Sequence, residues 1–148
     1  MGATADACPL CSEAGGILVH RAERWRVVRV EDADFPAFYR VIWNAHAAEF
    51  TDLSRVERAE CMDAVAAVER ALREHLRPTK INLASLGNQV PHLHWHVIAR
   101  FGWDSRFPDP IWGAARRAVA EPAPAARLAL PLDPLDLAVA LALAGARG

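Results

Sequence analysis

The stretch Asn88-Gln89-Val90-Pro91-His92-Leu93-His94-Trp95-His96-Val97-Ile98 alternates imidazole with apolar side chains. Side chains at i, i+2 and i+4 of a strand project from one face, so the pattern predicts a strand over His92–Ala99 with three imidazoles in a row. Leu93, Trp95 and Val97 then anchor its opposite face in a core. An isolated histidine on a sheet is usually a satisfied polar residue, but three on one face are costly to bury without polar partners. With an ordinary pKa of about 6.5, an imidazole can attack as a neutral nucleophile and also give up a proton near neutral pH. That combination suits transfer of a phosphorus group through a covalent intermediate.

Upstream of this strand, Lys80–Ser85 reads as another strand, and Gly87-Asn88-Gln89 as a tight polar turn joining the two. Before them, Ser54-Arg55-Val56-Glu57 is a capping box that opens a helix. Cys61, Val65, Val68, Leu72 and Leu76 recur at helical spacing along it, and Pro78 ends it. The stripe is a core face, which accounts for Cys61 as a small buried hydrophobe. His75, near the helix C-terminus, suits the helix dipole and is read as structural. Further back, Asp32 to Pro36 breaks the chain before a third strand at Tyr39–Trp43. Gly15-Gly16 marks a turn into a hairpin of Ile17–Arg21 and Trp25–Val30, with His20 a structural residue. Downstream, Phe101–Trp112 carries aromatics and prolines without a period, as an ordered segment packed over the domain. Trp103, Phe107 and Trp112 are expected to pack there, with stacking on a base the alternative. Leu132–Leu143 forms a last helix introduced by Asp133 and Pro134. The expected fold is α+β, a five-stranded, largely antiparallel sheet with a long helix packed against it.

The chain has 148 residues, 53% of them apolar, enough for one domain with a core of its own. Thirty alanines inflate that fraction, and sixteen arginines stand against the single Lys80, a bias that looks like genome composition. A net charge of -1 gives no global basic field, which argues against a protein that grips nucleic-acid polymers by their phosphates and leaves room for a small charged ligand. No apolar run reaches the roughly eighteen residues of a membrane span. Met1–Ala7 lacks the basic and apolar regions of a signal peptide, so a cytoplasmic location is expected. In a reducing compartment, the spacing of Cys8-Pro9-Leu10-Cys11 suits a metal or a redox pair.

His-Leu-His-Trp-His-Val-Ile, His92 to Ile98, resembles the His-φ-His-φ-His-φ-φ signature of the histidine triad (HIT) family, φ being apolar, with every position filled. The likeness runs from about Cys8 to Arg100, roughly two thirds of the chain. The Pro-His-Leu-His-Trp-His core is similar to that of small bacterial HIT proteins of the diadenosine polyphosphate hydrolase-like branch. It implies a HIT-like domain over residues 1–112, followed by an Ala/Pro-rich extension with a helix over residues 113–148. It also implies that His94 attacks the α-phosphorus of a nucleotide to form a nucleotidyl-histidine that water hydrolyses. His96 then contacts phosphate oxygen or helps protonate the leaving group, and His92 orients its neighbours or binds metal. Asn82, Gly87, Asn88 and Gln89 fall where the family places its phosphate-contacting strand and loop; Gln89 stands where a serine is often found. The nucleoside is expected among apolar residues of the first strands, near Ile17 or Phe38, and homodimers are common in the family.

Some HIT proteins and the related galactose phosphate uridylyltransferases bind structural zinc through a CxxC pair, a histidine after the third strand and the first triad histidine. Those positions match Cys8, Cys11, His46 and His92 here. The alternative is a plain N-terminal cysteine pair and a surface His46, and the sequence leaves both open. For function, the leading expectation is a phosphohydrolase or nucleotidyltransferase acting at an α-phosphate of a dinucleoside polyphosphate or nucleotidyl phosphoramidate. A nucleotide-binding or partner-binding module with little turnover, and a hydrolase using His92, His94 and His96 as direct metal ligands, are the alternatives.

Overall fold

A computed structural model describes residues 5–145. Its centre is one five-stranded antiparallel sheet, with β1 (Ile17–Arg21), β2 (Trp25–Arg29), β3 (Phe38–Trp43), β4 (Lys80–Ala84) and β5 (His94–Arg100) in the order β1-β2-β3-β5-β4. The hairpin of β1 and β2 is closed by the Ala22 amide donating to the Trp25 carbonyl at 2.8 Å. The strands match expectation except at their ends, where β3 begins one residue earlier and β5 two residues later.

Three helices frame the sheet: α1 (Pro9–Ser12), α2 (Arg55–Leu76) and α3 (Leu132–Gly145). At the start of α2, the Ser54 hydroxyl accepts from the Glu57 amide while the Glu57 carboxylate accepts from the Ser54 amide, which satisfies two of the helix's free donors. The helix ends where Arg77 adopts a left-handed conformation, φ 47°, ahead of Pro78. Cys61, Val65, Val68, Leu72 and Leu76 are all buried, and the helix lies across β3 and β5. Burial pushes the Cys61 thiol up to about 12, so it is inert at neutral pH.

The last helix shares this core. Leu135, Val139 and Leu143 are buried with the residues of α2 and the sheet. Asp136 accepts from the Tyr39 hydroxyl at 2.6 Å and from Arg29 Nε at 3.0 Å, tying α3 to neighbouring strands. Burial and the Asp136 contact push the Tyr39 phenol well above its ordinary range. The two long helices, α2 and α3, therefore take up one face of the sheet. The other, which carries Arg40, His94, His96 and Arg100, is left to short segments and loops. No helix among the described residues is long and apolar enough to cross a membrane.

Candidate active site

Two of the three signature imidazoles share the open face. His94 and His96 stand two apart on β5, their ring centroids 5.0 Å apart and nearly perpendicular. His92 does not join them, which corrects the expected row of three. Pro91 has no amide hydrogen to give a ladder, and the His92 amide turns back to the Val90 carbonyl at 2.8 Å. The Leu93 amide goes to the Ala47 carbonyl at 2.7 Å, so regular pairing starts only at His94. The fully buried His92 ring approaches the Trp43 carbonyl through Nε2 at 2.6 Å and faces Cys8 and Cys11 through Nδ1. A single ion held by all three histidines is thereby excluded as an arrangement of this fold.

The displaced His92 still acts on its neighbour. His94 Nδ1 lies 2.6 Å from the His92 carbonyl oxygen, and because a carbonyl only accepts, the proton sits on Nδ1 and the lone pair on Nε2. Burial, together with the Arg40 charge, holds the His94 pKa below the ordinary imidazole range against the pull of that hydrogen bond. His96 is pushed down to about 4 by burial, by His94 and by Arg40. Both rings are consequently neutral at pH 7, the state a nucleophile requires.

Arg40 supplies the positive charge. It pairs with His96 across β3 and β5, and its Nη1 donates to the Gly15 carbonyl at 3.3 Å. Its Nε and the Nδ1 of His96 are both buried without a hydrogen-bond partner. Beside them opens a cavity of about 260 Å³, lined by Arg40, His94, His96, Trp112 and the loop Leu86–Val90. Gly87 holds φ 70° in that loop, a conformation that strains any residue with a β-carbon.

Gly87, Asn88 and Gln89 thus stand beside the histidine pair. Asn82 is placed further along β4, opposite Ile98, where its carboxamide oxygen accepts from Arg100 Nη1 at 2.8 Å. It lines a neighbouring cleft that meets the first at Trp112. Phe38 packs edge-on to His96 but is sealed under Phe35, Ile98 and Ile111, and Ile17 lies on the outer strand β1. Neither lines the histidine cavity. Sequence reasoning missed Arg40, although a lone charge inside Phe38-Tyr39-Arg40-Val41-Ile42 was a signal. It also expected Trp112 to pack away, whereas its indole is 53% exposed beside His96.

On the same face of the sheet, Cys8, Cys11, His46 and His92 bring their ligand atoms within 4.8 Å of one another. Cys8 Sγ and Cys11 Sγ lie 3.3 and 3.5 Å from His92 Nδ1, and Cys11 Sγ lies 3.3 Å from His46 Nδ1. The Trp43 carbonyl fixes the proton of His92 on Nε2, leaving Nδ1 as the ligand atom, a frequent outer-shell arrangement around metal-binding histidine. Two thiols and two imidazoles form a tetrahedral zinc donor set, so the residues present fit a structural zinc ion.

The profile of the HIT domain matches residues 12–102. Among solved structures, a histidine triad protein from Bradyrhizobium japonicum is 31% identical, with a TM-score of 0.66 over 90% of this chain and 91% of that one. A histidine triad protein from Marinobacter aquaeolei gives a TM-score of 0.70 at 20% identity, covering 90% and 93% of the two chains. A zinc-bound histidine triad family protein from Mycobacterium smegmatis gives 0.62 at 19% identity, covering 96% of each. No curated protein matches significantly. A signature on β5, a cavity built around its second and third histidines, and a family profile spanning most of the sheet agree: the chain belongs to the histidine triad family.

Proposed function

We infer that this chain acts on nucleotides, as a member of a family whose proteins are typically nucleotide hydrolases or transferases. We propose that this chain transfers a nucleotidyl group from an α-phosphate to His94 and then to water or another acceptor. The observation that carries this reading is the His94 ring itself, lining the cavity with its proton held on Nδ1 by the His92 carbonyl and its Nε2 lone pair free. In the first step that lone pair forms a bond to the α-phosphorus while the bond to the leaving group breaks, the electron pair going with the leaving group. A polyphosphate leaves as an anion and takes no proton at neutral pH; an amine takes one from solvent water, since His96 beside the reacting centre is neutral at that pH. Water then attacks the phosphorus and releases its proton to solvent, the phosphorus–nitrogen bond breaks and its electron pair returns to Nε2 of His94. Arg40 and the amides of Gly87, Asn88 and Gln89 stabilise charge on the phosphoryl oxygens.

The substrate class this favours is a dinucleoside polyphosphate or nucleotidyl phosphoramidate, as in the diadenosine polyphosphate hydrolase-like branch. We read Cys8, Cys11, His46 and His92 as holders of a structural zinc ion. A bound zinc would fix the His92 side chain, and with it the backbone carbonyl that orients His94. A homodimer in the cytoplasm completes the reading. Incubation with a radiolabelled dinucleoside polyphosphate, followed by rapid quench, should trap a nearly stoichiometric, acid-labile nucleotidyl adduct. His94→Ala should lose it, with turnover down at least about a thousandfold and nucleotide binding retained. Binding without adduct or turnover in the unaltered protein would instead establish a binding module.

A further inference from the structure

Glu13 follows α1 directly, and its backbone is held at both ends. Its amide donates to the Pro9 carbonyl at 2.8 Å, and its own carbonyl accepts from Arg26 Nη2 at 3.0 Å. The same guanidinium, buried, also donates to the carbonyls of Leu10 at 2.7 Å and Ala14 at 2.9 Å, so the turn after α1 is gathered on one cation. Its remaining nitrogen, Nη1, goes to the Asn44 side chain. Gly15 completes the turn at φ 90°, where a β-carbon would meet Leu10 Cδ2 at 2.7 Å and Ile42 Cδ1 at 2.9 Å. Arg26 thus spends every donor away from the Glu13 carboxylate, which forms no ion pair among the described residues.

Glu13 lines a cleft of about 270 Å³ whose walls include Pro9, Leu10 and Val90. Arg40 and His94 line both this cleft and the histidine cavity, so the two spaces border the same nucleophile. The cleft beside β4 has neither residue. Apolar walls with one placed polar group form the usual lining for a planar heterocycle. Here that group is a carboxylate, which when ionised accepts and cannot donate. It repels a ring nitrogen that carries a lone pair and favours adjacent N–H groups. Among the four common bases, only guanine sets two donors side by side on one edge, N1–H and the N2 amine. Adenine and cytosine place an amine beside a lone-pair nitrogen, and uracil places its one N–H between two carbonyl oxygens. Two parallel N–H groups meet a carboxylate as a guanidinium does.

We propose that Glu13 reads the base of the bound nucleotide and selects guanine, its carboxylate accepting from N1–H and the N2 amine in the cleft between α1 and β3, while the phosphate lies at Arg40 and His94. This rests on the nucleotide reading given above and adds the identity of the base to it.

Calorimetric titration of the full chain with the monophosphates of guanosine, inosine, adenosine, cytidine and uridine tests it. The unaltered protein should bind guanosine monophosphate about tenfold more tightly than adenosine monophosphate, the scale of one bidentate contact to a base edge. Inosine monophosphate, which keeps N1–H and lacks the N2 amine, should fall between them. Glu13→Gln should remove the preference by weakening guanosine monophosphate, with adenosine monophosphate bound as well as before or better. Equal weakening of all five ligands in Glu13→Gln, or a guanine preference that survives it, overturns the assignment. If no monophosphate binds the unaltered protein, the nucleotide reading itself fails. If monophosphates bind without preference for guanine, only the reading of the base fails.

Discussion

His96 is neutral because it is buried and faces two groups that oppose its charge, His94 and Arg40. Its folded pKa of about 4 lies below the unfolded value of about 6.5, so between those pH values the unfolded chain binds a proton that the folded chain does not. Stability contributed by the neutral ring is therefore complete above about pH 6.5 and is lost as pH falls toward 4. One such proton gives a slope of up to about 1.4 kcal/mol per pH unit. Urea unfolding at about pH 7, 5.5 and 4.5 should show this decline, and His96→Gln should flatten it by close to one proton. Equal slopes in the two proteins would show that the ring is not held neutral. At this scale the sequence was legible wherever a local period decided the outcome. His94 and His96 share a face because a strand alternates, whatever surrounds it. His92 was misplaced because its position depends on Pro91 and on the Ala47 carbonyl, a contact between segments far apart in sequence. Arg40 was missed for a similar reason, since only strand register reveals that it stands opposite His96.

Among the elements, α2 and the hairpin were readable because capping, helical spacing and turn residues are local signals. The loop after β5 was readable as ordered but not as a shaped wall. Its organiser is Asp104, 2% exposed, a carboxylate whose partners include one side chain and three backbone amides with no periodicity to announce them. Burial alone would raise its pKa, but the Arg100 pair and those amides bring it below the ordinary carboxylate range. Arg100 is 1% exposed, so losing its partner strands a buried cation. Asp104→Asn should therefore cost about 3 kcal/mol in urea unfolding. It should also open the loop to trypsin at Arg106, Arg116 or Arg117 under native conditions, at a rate well above that of the unaltered protein. A stable variant with an unchanged digestion pattern would mean that the loop is held by its apolar contacts alone.

Across the whole molecule, the two ends of the chain close opposite faces of one sheet. At the carboxy-terminal end, α3 enters the common core and Asp136 reaches Arg29 and Tyr39, so residues beyond 131 contribute to the fold that holds the site. At the amino-terminal end, α1 has four residues and buries only Leu10 among them, too little to fix its place by apolar contact. What fixes it is polar: Arg26 donates to the carbonyls of Leu10, Glu13 and Ala14, and Cys8 and Cys11 meet His46 and His92. A zinc ion there would join three segments separated by 35 and 46 residues and would stabilise the folded chain by mass action, since the unfolded chain has no formed site. Protein purified without chelator should contain about one zinc per chain by metal analysis, and less than about a tenth of an equivalent would refute the site. Stripping the ion should lower the melting temperature by about 10 °C, the equivalent of a few kcal/mol for a domain of this size. Cys11→Ser should match the stripped protein and gain nothing from added zinc. The change should reach the nucleophile as well, because the ring that binds the metal and the carbonyl that holds the His94 proton belong to the same residue. Imidazole nitrogen shifts in nuclear magnetic resonance should therefore show the His94 Nδ1 proton held in the zinc-bound protein and exchanging faster with water once zinc is removed.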